Sequence, residues 1–301
     1  MIIDPVISVY ITNRNYGRYL ENAIKSVINQ TYNKKELIII DDASTDNSKK
    51  IIKKYEEKKL CRAIYNRKIK GLIGSSNIAI KASNGKFVIR LDADDYLDVN
   101  ALSVLYNVIK KDSNIALVYS DYYLIDDKKN ILSLEKQLTR NSISLEHKPV
   151  LAACCLIRKS SIFSVNLYDQ RFNRQDGYDI WYKLIQNFKI KHVPLPLFFY
   201  RKHQNNLTKN QVKLYKTRTK ILRKFAQQKN KTKNLNINCV IPVRGTNVDK
   251  LCNSLEYLNK KPLIFYTIDE VLKVKEFKKI ILTTPDIKLI KLVKKKYKNN
   301  I

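Results

Sequence analysis

The 301-residue chain reads as an α/β protein, a mostly parallel sheet covered by helices on both faces, followed by a smaller partial unit of the same class. Three observations predict this. Short apolar runs alternate with stretches whose apolar residues recur every three or four positions, the signature of strand–helix–strand crossovers. The runs are nearly continuous in apolar residues, as strands covered on both faces require. Two of them, Leu37–Ile40 and Phe87–Leu91, end in acidic residues, and open α/β sheets bind their ligands at the carboxyl ends of strands.

Ile7–Ile11 is the first short strand, and Leu20, Ala23, Ile24, Val27 and Ile28 behind it share one face of an amphipathic helix. The strand Leu37–Ile40 leads to Ser44-Thr45-Asp46, a polar cap before a helix with Ile51, Ile52 and Tyr55 inward. A strand at Ala63–Tyr65, a helix around Asn77–Ala82 and the Phe87–Leu91 strand follow. Next come a helix bearing Leu102, Leu105, Val108 and Ile109, and a strand Ala116–Tyr119 that ends in Ser120-Asp121. Residues 126–150 are polar and weakly patterned, a loop expected beside an acceptor. Asp176–Trp181 opens another helix, and Val193–His203 is a closing strand and tail. The basic stretch that follows carries Val212, Tyr215, Leu222 and Phe225 at helical spacing, and 227–236 is nearly devoid of apolar residues. A strand at Asn238–Ile241, a helix from Leu263, a strand at Lys279–Thr283 and a Lys-rich helix complete the chain. The expected division is 1–205, a basic helical linker at 206–236, and a partial unit at 237–301.

Composition narrows the function classes. The chain is 44% hydrophobic and 28% charged, which is globular rather than disordered. Its net charge of +31 attracts polyanions in principle. No nucleic-acid-binding motif accompanies it, so nucleic acid is not an expected partner, whereas peripheral contact with anionic lipid headgroups stays open. Neither G-x-G-x-x-G nor G-x-x-x-x-G-K-[ST] occurs, which removes the main support for dinucleotide and P-loop readings. The five cysteines are odd in number and form no C-x-x-C, which suits a reducing, cytoplasmic setting. With no signal peptide and no 18-residue apolar run, the chain is not expected to cross a membrane.

Asp92-Ala93-Asp94-Asp95 carries the most chemistry. A D-x-D at a strand end offers hard carboxylate oxygens to Mg²⁺ or Mn²⁺, which bind diphosphates through oxygen ligands while retaining water. Alone, such an acidic turn is commonly just solvated. Beside the second acidic strand end, Asp41-Asp42, it points to a nucleotide–metal site.

Over its first ~205 residues the chain resembles the family 2 glycosyltransferases of the GT-A fold. The matching pieces are SVYITNRNYGRYLENAIKSVINQTY, ELIIIDDASTDNS, the stretch from Gly71 through Gly85-Lys86-Phe87 to LDADD, YDIWYKL and YRKH. The resemblance implies a nucleotide-sugar donor, a glycan, lipid-linked or protein acceptor, and inversion at the anomeric carbon. It assigns the nucleotide to Asp41, Asp42, Thr12 and Asn15, the ribose to Asp92, and the divalent cation to Asp94 with Asp92. Arg201 and His203, in the Y-R-x-H pattern, are expected at the metal or diphosphate, although a lone His is more often structural. Where the family has Glu-Asp before its helix, this chain has Asp176-Gly177. Asp176 is therefore the first candidate for the base and Asp179 the second, the latter competing with a role as a solvated first-turn carboxylate. Trp181 is read as core, with sugar stacking the alternative.

Residues 237–301 resemble the amino-terminal part of the acylneuraminate (CMP-sugar) cytidylyltransferases, through INCVIPVRGTN and KKPLIFYTIDEVLKVKEFKKIILTTPDIKLI. Arg244 and Gly245 match that family's phosphate loop. Thr246-Asn247-Val248 replaces its Gly-Ser-Lys, and Cys252 stands where it has Lys, which removes charge a triphosphate needs. The unit is expected to be a remnant that docks, self-associates or belongs to a longer protein. Two rival readings follow for the whole chain: a non-catalytic scaffold with a degenerate tail, and an active cytidylyltransferase.

Overall fold

β1 (Ile7–Asn13) is the strand around which the first unit is built. In the computed structural model it lies between β2 (Lys35–Asp41) and β4 (Phe87–Asp92), parallel to both, with β3 (Arg62–Tyr65) parallel to β2 on the outside. The structure describes residues 6–137, 154–172, 176–203, 211–230, 237–245, 248–249, 252–274 and 277–298. Side chains alternate across a strand. Ile7, Val9 and Ile11 accordingly enter one core layer, and Tyr10 enters the other together with Ile38, Ile40 and Val88. α1 (Gly17–Ile28) buries Leu20, Ala23, Ile24 and Val27 on the first layer, as their spacing requires. α2 (Ser48–Glu57) adds Ile52 and Tyr55 to that layer, and α3 (Gly71–Ala82) covers the opposite one with Ile73, Ala79 and Ile80.

The second half departs from the sequence expectation. β4 is followed in the sheet by β8 (Leu156–Arg158), β6 (Ile115–Ile125), β9 (Lys189–Arg201) and β5 (Tyr96–Leu97), and β7 (Ile131–Glu135) pairs with β6. β8 is antiparallel to both neighbours, β5 is antiparallel to β9, and β7 is antiparallel to β6, while β6 and β9 are parallel. The sheet is therefore mixed, not mostly parallel. The three-residue β8 and two-residue β5 are too short to show periodicity, yet β8 inserts one antiparallel strand between β4 and β6, which run in the same direction. α4 (Ala101–Ile109) closes the first layer, and α5 (Lys159–Ser164) and α6 (Asp176–Ile185) close the second.

α7 (Gln211–Asn230) corrects the linker reading. Ile221 and Phe225 are buried in the second layer, with Phe225 against Tyr182 at 5.1 Å, so the first compact unit runs to Phe225. The second unit pairs β10 (Ile237–Pro242) with β13 (Phe277–Thr283) in parallel, and β11 (Tyr257–Leu258) with β12 (Lys261–Pro262) in a short antiparallel hairpin. α8 (Leu263–Leu272) and α9 (Ile287–Tyr297) pack Ile264, Phe265, Ile268, Leu289 and Val293 against Ile241. Asp286 caps α9 through the Lys288 and Leu289 N–H groups. Val240 and Ile281, partners in register, stay exposed on the two-stranded sheet.

Gly85 enters β4 where no side chain fits. A Cβ there would lie 2.7 Å from the Ser8 backbone N and 2.9 Å from the Ile7 carbonyl carbon, in a strand at the centre of the sheet. Gly85→Ala is expected to lower stability by about 1–3 kcal/mol, read as a shift in the denaturant midpoint at constant slope; an unchanged midpoint would contradict this packing.

Candidate functional site

The register of three strands makes the site. Thr12 lies opposite Asp92, and Asn13 lies opposite Asp41, so the ends of β2, β1 and β4 stand side by side at one edge of the sheet. Two acidic strand ends far apart in sequence are thereby separated by a single strand.

On the β2 side the carboxylates are committed to the protein. Asp41 is fully buried; its Oδ1 accepts from the Asn13 amide at 3.0 Å and its Oδ2 from the Ser44 N–H at 3.2 Å. Asp42 accepts from the Asn66 amide and the Lys70 and Gly71 N–H groups, each at 2.8 Å. Gly71 has φ +72°, which glycine adopts without strain, and Asp42 thus ties the turn before α3 to β2. Asp41 and Asp42 thereby brace the turns around this strand end. Asn15 is exposed at φ 58°, and its side-chain oxygen accepts from the Thr45 N–H at 2.8 Å, bracing the β1–α1 turn against the β2–α2 turn. Asp46 fastens the same two turns, accepting from the Gly17 and Ser48 N–H groups. Thr12 is half-buried beside Asp92.

The β4 side holds the acidic cluster. Asp92 pairs with the buried Arg90 at 3.0 Å, and Asp94 Oδ2 lies 2.8 Å from His203 Nε2. Tyr19 stacks on the His203 ring at 5.3 Å and Tyr16 meets it edge-on at 5.7 Å. Burial first, and then the Asp94 and Asp92 charges, push the Asp95 carboxyl well above the usual carboxylate range. Burial and the same three carboxylates also raise Tyr16, so its phenol stays protonated at neutral pH. Arg201 is held within the protein. It is 1% exposed; its Nε donates to the Asp94 carbonyl at 2.9 Å, its Nη1 to the carbonyls of Asp126 and Asp127, and its backbone N–H to Asp95 Oδ1.

These residues fit a divalent cation. Asp94 Oδ2 and His203 Nε2 are spaced as adjacent ligands of one octahedral ion are, about 3 Å for metal–ligand lengths near 2.1 Å. The crowded carboxylates around them are a field that a cation relieves. Among the described residues no three His, Cys, Asp or Glu groups are arranged to hold a metal by themselves, so further ligands would be diphosphate and water oxygens.

On the far side, α6 begins at Asp176, whose side chain lies outside the described residues. Asp179 is 1% exposed and sits between Lys183 at 2.7 Å and Lys224 at 2.9 Å, also accepting from the Asp169 N–H. That enclosure makes it a tie between α6 and α7. Trp181 is buried edge-on to Tyr119 at 5.3 Å, a core residue. Sequence reasoning overlooked Asn13, Tyr16, Tyr19 and Asn66. Of these, Asn66 had a usable signal, a polar amide directly after a short strand and five residues before a glycine. The expected acceptor loop is only partly described: residues 126–137 form the β6–β7 hairpin, and the rest lies outside the described residues. Among the described residues no helix is long and apolar enough to cross a membrane.

The fold is shared with known proteins. A mannosyltransferase from Pyrobaculum calidifontis, solved in complex with GDP-Man and Mn²⁺, superposes with a TM-score of 0.57 at 12% identity, covering 74% of this chain and 64% of that one. Escherichia coli chondroitin synthase is 27% identical over 192 residues, 63% of this chain and 28% of its own length. The E. coli UDP-Glc:alpha-D-GlcNAc-diphosphoundecaprenol beta-1,3-glucosyltransferase WfgD is 24% identical over 231 residues, 74% of this chain and 88% of its own. Two further glycosyltransferases, each 30% identical, are spanned over 60% and 59% of their length. The family pattern described as glycosyl transferase family 2 matches residues 8–172, more than half of the chain. The chain belongs to glycosyl transferase family 2.

Proposed function

We propose that the chain transfers a sugar from a nucleotide-sugar donor to a hydroxyl of a glycan, lipid-linked or protein acceptor, with inversion at the anomeric carbon. The observation that carries this reading is the register of β1, β2 and β4, which lines up Asp41, Thr12 and Asp92 next to the Asp94–His203 pair. The nucleotide lies against the wall built by Asp41, Asp42, Asn66 and the Asn15 turn, with Asp92 toward the ribose. Mg²⁺ or Mn²⁺, held by Asp94 and His203 beside Asp92, would neutralise charge on the leaving diphosphate. Arg201 and Tyr19 keep the Asp94 backbone and the His203 ring in place. Asp176 takes the proton of the acceptor hydroxyl as its oxygen bonds to the anomeric carbon and the bond to the diphosphate breaks. WfgD, whose name gives a diphosphoundecaprenol acceptor, favours a lipid-linked acceptor, and the excess of lysine suits work at an anionic, cytoplasmic membrane surface.

The test is a screen of UDP-, GDP-, dTDP- and CMP-sugars with Mn²⁺, with the product anomer read by proton NMR. One donor class giving a product of inverted configuration is expected. Retention would remove the single-displacement step, and no turnover of any donor would remove the reading.

For residues 237–301 we propose a nucleotidyltransferase-like remnant without CTP turnover. The order β10–β11–β12–α8–β13–α9, with β10 and β13 parallel, supports the resemblance, and Val248 and Cys252 at the expected lysine positions support the loss of function. The full chain is expected to show no CTP-dependent release of pyrophosphate. Titration calorimetry that finds micromolar Mg·CTP binding, abolished by Arg244→Ala, would overturn the remnant reading.

A further inference from the structure

A second carboxylate–imidazole pair stands at the same sheet edge and has no part in the mechanism above. β6 and β9 run in parallel with Tyr119 beside His192 in register, and the two rings stack at 4.9 Å. The ladder is interrupted after Val193, where Pro194 cannot donate a backbone hydrogen bond. His192 Nε2 meets Asp121 Oδ1 at 2.7 Å, and both side chains are 6% exposed. The Gln137 N–H donates to the same Oδ1 at 2.7 Å, and the Gln137 amide donates to the Ser120 carbonyl.

Strand register places this pair relative to the donor. Val88 on β4 pairs with Ile157 on β8, which pairs with Leu117 on β6. Four residues further along each strand are Asp92 and Asp121, at one level and on one face. They stand two strand spacings apart, about 10 Å. The same face carries Tyr119 against Trp181 of α6, the helix that begins at Asp176. Asp121 thus stands level with Asp92 and shares its strand face with Tyr119, which meets the helix that carries the proposed base. A carboxylate has about four lone-pair positions. Both donors named above fall on Oδ1, and among the described residues none is assigned to Oδ2. Oδ2 is not among the buried side-chain atoms left without a partner, so it keeps an accessible acceptor position on an otherwise 6% exposed side chain.

We infer that Asp121, oriented by His192 and Gln137, is an acceptor-binding residue whose Oδ2 accepts a hydrogen bond from a hydroxyl of a saccharide acceptor. This rests on the glycosyltransferase reading and adds to it where the acceptor sugar is gripped.

The test uses the full chain, the donor found active in the nucleotide-sugar screen, and p-nitrophenyl glycosides of glucose, galactose and N-acetylglucosamine as acceptors. Asp121→Asn, close in shape, is expected to raise the acceptor KM by about 10- to 100-fold, the loss of one hydrogen bond to a charged group, with the donor KM unchanged. His192→Gln, which keeps a donor, should lose less than His192→Ala. Donor binding and thermal melting are measured on each variant. Equal losses in donor and acceptor KM, or a loss that follows a lowered melting temperature, would assign Asp121 a purely structural role and overturn the inference. An unchanged acceptor KM would overturn it as well. A wild-type chain that turns over no donor overturns the glycosyltransferase reading beneath it, an outcome the donor screen reports before any variant is made.

Discussion

Asp94→Ala abolishes transfer and metal-dependent donor binding while the fold persists: that is the largest effect expected. Asp94 Oδ2 faces His203 Nε2 at 2.8 Å at the edge of the sheet, and its side chain is not part of either core layer. Its removal takes away one of two proposed protein ligands to the cation, and second and later ligands from water do not replace it in position. The lost charge-assisted contact with His203 is offset in part by relief of the repulsion that raises Asp95. Turnover should fall by about 10³-fold or more, the scale of losing electrostatic stabilisation of a leaving group, with a melting temperature close to wild type. Transfer at the wild-type rate without added cation would show that the metal assignment is wrong.

The second effect separates two carboxylates three residues apart. Asp176→Asn is expected to lower turnover by about 10²-fold or more at nearly constant donor KM, as loss of proton abstraction does. Asp179→Asn acts on a different quantity. Its carboxylate is buried between Lys183 and Lys224, and its loss leaves Lys183 without its carboxylate partner while Lys224 keeps Asp169 at 2.8 Å, at a cost of roughly 3 kcal/mol. Its signature is therefore a lower denaturation midpoint with near-normal turnover per folded molecule. Steady-state rates corrected for folded fraction decide the matter, and the reverse ranking would move the base to Asp179.

The parts of this molecule that sequence could show are those with local periodicity. β1, β2 and β4 announce themselves as apolar runs, and α1 by its i, i+3, i+4 spacing, so the donor half of the fold and both acidic strand ends were legible. What was not legible depends on long-range register. β8 has three residues and β5 two, and their antiparallel placement follows from pairing with strands about 40 to 100 residues away, not from their own composition. α7 read as a linker because its mean composition is polar, and only Ile221 and Phe225 reveal a buried stripe. The site residues show the same division. Residue type correctly drew attention to Asp42 and Arg201, but not to their partners. Asp42 bonds to residues 66–71, and Arg201 to the backbone of Asp94, Asp126 and Asp127, partners that no local pattern marks. The Asp121–His192 pair was half visible, as an acid at a strand end, and its imidazole lies 71 residues away.

The central claim is that the aligned ends of β1, β2 and β4 hold a nucleoside diphosphate through a cation. Titration calorimetry of UDP, GDP, dTDP and CDP into the full chain, with Mn²⁺ and then with excess EDTA, tests it most directly. One nucleotide is expected to bind in the micromolar range with Mn²⁺ and to weaken by at least tenfold with EDTA. Binding of equal strength under both conditions, or none of the four bound with Mn²⁺ present, would contradict it.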